Sequence, residues 1–127
     1  MSIQTKSPPS QQILCFDAAA LMQHVGGDQE LLREIIEIFL TTAPQMLADA
    51  RGAVISGDSL KVEQAAHALR GAASNFFSAS VDQAAMVLEA MGRTRDLAEA
   101  RSAFGGLATE VDKLRSLLEL MLRGKPA

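Results

Sequence analysis

The sequence predicts an all-α fold: an antiparallel up-down-up-down four-helix bundle with a short additional helix at its N-terminal end. Three observations lead there. Hydrophobic residues make up 48% of the 127, yet aromatics only 4%, with no Trp or Tyr. Ala, Leu, Met, Glu and Arg abound, which favours helices packed through small and flexible side chains. Leu97, Ala100, Phe104, Leu107, Val111, Leu114, Leu118 and Met121 fall at spacings that alternate between three and four residues, the apolar period of antiparallel bundles packed at about 20°. No stretch shows strand-like alternation of useful length. A chain of this size encloses one core. We place that domain at residues 13–123, between a disordered lead or linker at 1–12, polar and containing Pro8-Pro9, and a tail at 124–127.

Asp17 caps a first short helix, Ala18 to Val25, which Gly26-Gly27 terminates. His24 lies at its end, near the negative pole of the helix dipole, and has no partner at ligand spacing, so its expected role is structural. Asp28 caps the next helix, in which Leu31, Leu32, Ile35, Ile36 and Phe39 form the apolar stripe. Pro44 should end or kink it. A further segment from Gln45 to Ile55 turns Met46, Leu47, Ala50 and Val54 inward, as one bent helix with the first part or as a second helix. Ser56-Gly57-Asp58 turns the chain into the helix that carries His67, which Asp58 caps and which runs to Asn75. The corner from Asn75 leads to Ser80, the expected cap of a helix from Val81 to about Met91. Gly92 to Asp96 is the next turn. The last helix follows, interrupted by Gly105-Gly106, which implies either a close helix contact or a local bend.

On a wheel of roughly 100° per residue, Val62, Ala65, Leu69, Ala72, Ala73 and Phe76 gather within about 60° of the pole opposite His67. His67 sits among Leu60, Glu63, Gln64, Arg70, Gly71 and Ser74. The helix therefore buries one side and holds its single histidine outward. Arg70, one turn along, stands where it could pair with an anion carried by the ring. Gly71 costs about 1 kcal/mol in a helix interior relative to Ala, and it removes a side chain that would crowd the imidazole. Leu60 is an apolar residue on this otherwise polar face.

The run His67-Ala-Leu-Arg70-Gly71-Ala-Ala-Ser-Asn75-Phe resembles the His-x-Leu-(Lys/Arg)-Gly-x-x-x-Asn signature of histidine-containing phosphotransfer (HPt) domains. Upstream, Asp28 to Leu40 with Ala43-Pro44 resembles the second-helix region of that family. Downstream, Val81, Ala84, Leu88 and Glu89 fall at the spacing of its next helix, so the resemblance spans roughly residues 16–122. One departure is Phe77, which stands where the family usually has a small residue, often Gly.

The resemblance implies a phosphorelay intermediate rather than an independent enzyme. His67 would accept a phosphoryl group on Nε2 from a receiver-domain aspartate and pass it to another receiver. A neutral imidazole suits this because the unperturbed pKa of histidine is about 6.5. Glu89 occupies the position from which the family holds the opposite ring nitrogen. The implied partners are response-regulator receiver domains and a hybrid sensor kinase, docking on Leu60, Gln64, Ser74 and Phe77 and on the first helix through Leu21 and Met22. No cofactor is expected, and Mg²⁺ would belong to the partner receiver. Two alternatives are a helical scaffold that carries no phosphate and the phosphoacceptor and dimerisation part of a histidine kinase. In the latter an acidic residue usually follows the histidine, where Ala68 stands here.

Other function classes find no support. There is no Gly-rich phosphate loop and no Gly-Lys-Ser/Thr clamp for ATP. A net charge of −3 without a basic run disfavours nucleic acid. Cys15 has no Cys or His neighbour for a disulfide or metal, and the two histidines lack a Glu-x-x-His pairing, so no metal site is expected. No apolar run reaches the roughly 18 residues that span a bilayer, and the N-terminus lacks a signal-peptide core. The expectation is a cytoplasmic monomer.

Overall fold

A computed structural model describes residues 17–124. The proposed lead at 1–12, Cys15 and all but the first residue of the tail lie outside the described residues. Four side chains start helices by accepting a hydrogen bond from the backbone N–H three residues on. Asp17 opens α1 (Ala18–His24), Asp28 opens α2 (Gln29–Ser56), Asp58 opens α3 (Ser59–Ala73) and Ser78 opens α4 (Ala79–Thr94). A 3₁₀ turn, Ser74–Phe76, extends α3, and α5 covers Ala100–Leu122. Helices α2 to α5 form a ring in which each packs against two neighbours, α2 with α3 and α5, α4 with α3 and α5. The helix α1 lies across the 3₁₀ turn, where the Asp17 N–H donates to the Phe76 carbonyl.

Core side chains come from all five helices: Leu21, Ile36, Phe39, Val62, Leu69, Phe76, Leu88, Leu107, Val111 and Leu118 are almost fully buried. Alanines at 43, 50, 66, 73, 85 and 100 fill the seams between them, as the aromatic-poor composition requires. The rings of Phe39 and Phe76 meet edge-on at 5.1 Å.

The structure overturns some of the sequence expectations and decides between alternatives at others. Residues 29–56 form one helix, α2, with Pro44 inside it, so of the two alternatives left open for this segment the single helix holds. Proline withholds one N–H from the carbonyl four residues earlier, but Pro44 is exposed while Phe39, Ala43 and Ala50 are buried on both sides of it, so packing holds the helix together. Leu31 is exposed rather than part of the inward stripe. Ser78 caps α4, not Ser80, because Phe77 takes a left-handed conformation (φ 55°, ψ 44°) and reverses the chain in a single residue. At its other end α4 continues through Gly92, expected as a turn, to Thr94. Finally, Gly105 and Gly106 lie inside a continuous α5, exposed and with nothing within 4 Å of where a Cβ would stand, so close helix contact is not their role.

Candidate functional site

The site is built on the shared wall of α3 and α4. His67 lies midway along α3 with its side chain 71% exposed, and Glu89 on α4 faces it with only 11% of its side chain exposed. His67 Nδ1 is 3.0 Å from Glu89 Oε2. The other carboxylate oxygen, Oε1, accepts a hydrogen bond from Arg70 Nη1 at 3.0 Å, and Arg70 Nε donates to Asp82 Oδ1 at 2.9 Å. Four side chains thus form one chain across the two helices, from exposed imidazole to outer carboxylate.

Helix periodicity explains which residues meet. Arg70 follows His67 by one turn, so both lie on the face of α3 that borders α4. Asp82 precedes Glu89 by two turns on α4. Close approach of the helices is set by Gly92, one turn beyond Glu89. A Cβ there would stand 2.5 Å from the Glu63 backbone nitrogen and 2.7 Å from the Ser59 carbonyl oxygen. No side chain but hydrogen fits, and the separation that results lets the short Glu89 side chain reach the ring.

Electrostatics fix the chemistry of the pair. Burial alone would push the Glu89 carboxyl up. Hydrogen bonds from Arg70 and then His67, together with their charges, outweigh burial and hold it below the usual carboxylate range. The Arg70 guanidinium is held charged chiefly by Asp82 and then by Glu89. An ionised Glu89 can only accept, so Nδ1 of a neutral His67 must be the nitrogen that carries hydrogen. Nε2 is left with its lone pair, on a ring that is open to solvent.

Around His67 the surface is a shallow depression lined by Leu60, Glu63, Gln64, Ala68 and Glu89. Leu60 is 61% exposed. Gly71 is exposed, with open space where a side chain would project. A second depression adjoins on the far side of Arg70, lined by Ser74, Phe77, Ser78 and Asp82. The hydroxyl of Ser74 donates to the Gly71 carbonyl at the end of α3. Phe77 is 42% exposed and packs edge-on against the His24 ring at 5.6 Å, so it neither turns inward beside Phe76 nor joins Leu60 in the depression around His67.

Leu21 needs correction as a partner-binding residue. It is fully buried, because α1 lies on the 3₁₀ turn with that side chain in the core. Met22 is half-buried and lines neither depression. The sequence reading missed two residues. Asp82 carried a signal, since it lies two turns from Glu89 on the same helix face. Gly92 carried none, because a glycine demanded by a neighbouring helix looks like a glycine in a turn.

Among the described residues, no group of three or more His, Cys, Asp or Glu is placed to hold a metal ion, and no helix is long and apolar enough to cross a membrane. The fold recurs in solved structures. Histidine-containing phosphotransfer protein B from Pseudomonas aeruginosa PAO1 superimposes with a TM-score of 0.82 over 94% of this chain and 100% of its own, at 18% identity. The HPT domain of an Hpt sensor hybrid histidine kinase from Shewanella does so with a TM-score of 0.76 over 90% and 98%, at 15% identity. These identities speak for the fold alone. No curated protein matches the chain significantly in sequence. The sequence profile of the Hpt domain, however, matches residues 34–117, most of the bundle including α3 and α4. The chain belongs to the Hpt domain family, whose members carry phosphoryl groups in phosphorelays.

Proposed function

We propose that His67 is the phosphoacceptor and Nε2 its reacting atom. The observation that carries this is an exposed imidazole whose Nδ1 lies 3.0 Å from a nearly buried carboxylate. In the forward step the Nε2 lone pair attacks the phosphorus of a receiver domain's aspartyl phosphate. The Nε2–P bond forms as the P–O bond to the aspartyl carboxylate breaks, and the aspartate leaves with the electron pair. No proton has to move. Nδ1 keeps its hydrogen, and the positive charge that appears on the ring faces Glu89. Transfer to a second receiver is the same step reversed.

Phosphoryl transfer asks mainly for position and charge stabilisation, and a rigid helix with an oriented ring supplies the first. Hpt domains interact with receiver domains of response regulators and hybrid kinases. Here the receiver would seat its aspartate over the depression that Leu60, Gln64 and His67 line, bringing its own Mg²⁺. The chain then acts as a monomeric, cytoplasmic relay rather than an enzyme with its own ATP chemistry. Incubation with a phosphorylated receiver domain should place acid-labile label on the chain. His67→Gln should remove that label while leaving helical content and melting temperature nearly unchanged, since an exposed residue adds little to packing. Label that persists in His67→Gln, or that maps to His24, would overturn the assignment.

A further inference from the structure

The arginine one turn after His67 stands where it could contact an arriving phosphoryl group, but two of its nitrogens are already engaged. Nε donates to Asp82 at 2.9 Å and Nη1 to Glu89 at 3.0 Å. Both carboxylates belong to α4, so the guanidinium is drawn across the helix interface. We propose that Arg70 and Asp82 are positioning residues that act on His67 through Glu89, an inference that rests on His67 being the phosphoacceptor. Asp82 fixes the guanidinium, the guanidinium fixes the plane of the Glu89 carboxylate by holding Oε1, and Oε2 is thereby aimed at Nδ1.

The arrangement explains why one carboxylate serves two donors. Glu89 held only by His67 could rotate about its terminal torsion, which is broad for a glutamate. With a donor on each oxygen it has one orientation, and the ring follows. Removing Arg70 would also leave Glu89 largely desolvated with a single partner, which favours its neutral form. A protonated Glu89 can donate to Nδ1, and the tautomer preference then inverts and puts hydrogen on Nε2, the nitrogen that must attack. Asp82, by contrast, is half exposed at 50% of its side chain, so its pull on Arg70 is screened by salt.

The test combines transfer kinetics with nitrogen NMR of the His67 ring. Wild-type chain should carry hydrogen on Nδ1, whereas Asp82→Asn and Arg70→Ala should show mixed tautomers. Transfer from a phosphorylated receiver should slow about two- to fivefold in Asp82→Asn, as suits an exposed ion pair, and less at high salt. Arg70→Ala should slow it about tenfold or more, because a charged hydrogen bond to a buried carboxylate is lost. The deciding comparison is Arg70→Ala in a Glu89→Gln background, where the added loss should fall below about twofold if Arg70 works through Glu89. Full additivity, or an unchanged tautomer in both single variants, would overturn the proposal and make Arg70 a direct phosphoryl contact. If Arg70→Ala lost helical content, Asp82→Asn at its half-exposed position would decide alone, by its tautomer and its rate. The ring tautomer is readable without any transfer, so a wild-type chain that took no label would count against His67 as acceptor, not against the positioning network.

Discussion

Gly92 and Glu63 touch through backbone. A Cβ on Gly92 would stand 2.5 Å from the Glu63 nitrogen and 2.9 Å from its Cα, one helical turn from where Glu89 meets His67. The spacing of α3 and α4, and with it the reach of Glu89, depends on the absence of one methyl group.

Gly92→Ala should therefore destabilise the bundle by about 2–3 kcal/mol, the upper part of the range for overpacking, because all three clashing atoms, Glu63 N and Cα and the Ser59 carbonyl oxygen, are backbone and cannot swing aside. This outweighs the helix-propensity gain of about 1 kcal/mol that the same change brings at an unconstrained site. Denaturant unfolding measures the sum. Equal or greater stability in Gly92→Ala would mean the helices part without cost.

Acid should weaken the bundle through Glu89. Burial opposes its ionisation, but Arg70 and His67 prevail and keep the folded carboxyl below the value near 4.5 of the unfolded chain. Between those two values the unfolded state binds more protons, so stability rises with pH there. The Glu89 contribution is present in full above about pH 4.5 and is lost as pH falls through the folded value. Thermal melts across the acid range should show a shallower pH dependence in Glu89→Gln than in wild type. Parallel curves would show that Glu89 is not held ionised by its neighbours.

Phe77 takes a left-handed conformation at φ 55°, which costs a residue with a Cβ about 1–2 kcal/mol. Its contact with the His24 ring returns part of that. Phe77→Ala loses the contact and keeps the strain, whereas Phe77→Gly loses the contact and the strain together. The glycine variant should be the more stable of the two by about 1 kcal/mol, even after its larger unfolded-state entropy. An alanine variant equal to it in thermal denaturation would place Phe77 outside the left-handed region.

Receiver docking over His67 should depend on Leu60, whose side chain is mostly exposed beside the ring. Leu60→Asp should weaken receiver binding at least tenfold, about 1.4 kcal/mol, without unfolding the bundle. Titration of a receiver followed by NMR would show it, with shift changes on α3 near His67. Equal affinity, or changes gathered on α5, would put the docking surface elsewhere.

The fold class, three of the four cap residues, the apolar face of α3 and the outward histidine were all legible in the chain, because each depends on residues within a few positions of one another. An Asp before a run of helix formers caps locally, and a wheel sorts one face from the other whatever packs against it. What only the tertiary structure decided are the relations across helices. The continuity of α2 through Pro44 is decided by apolar side chains buried on either side of the proline. The start of α4 at Ser78 follows from the single left-handed residue at Phe77. The burial of Leu21 follows from where α1 comes to rest on the 3₁₀ turn. The wheel put Arg70 beside His67 and left it open as an anion partner. Only the approach of α4, set by Gly92, turns that guanidinium toward Asp82 and Glu89, since a distance between two helices is a property of both and is written in neither alone.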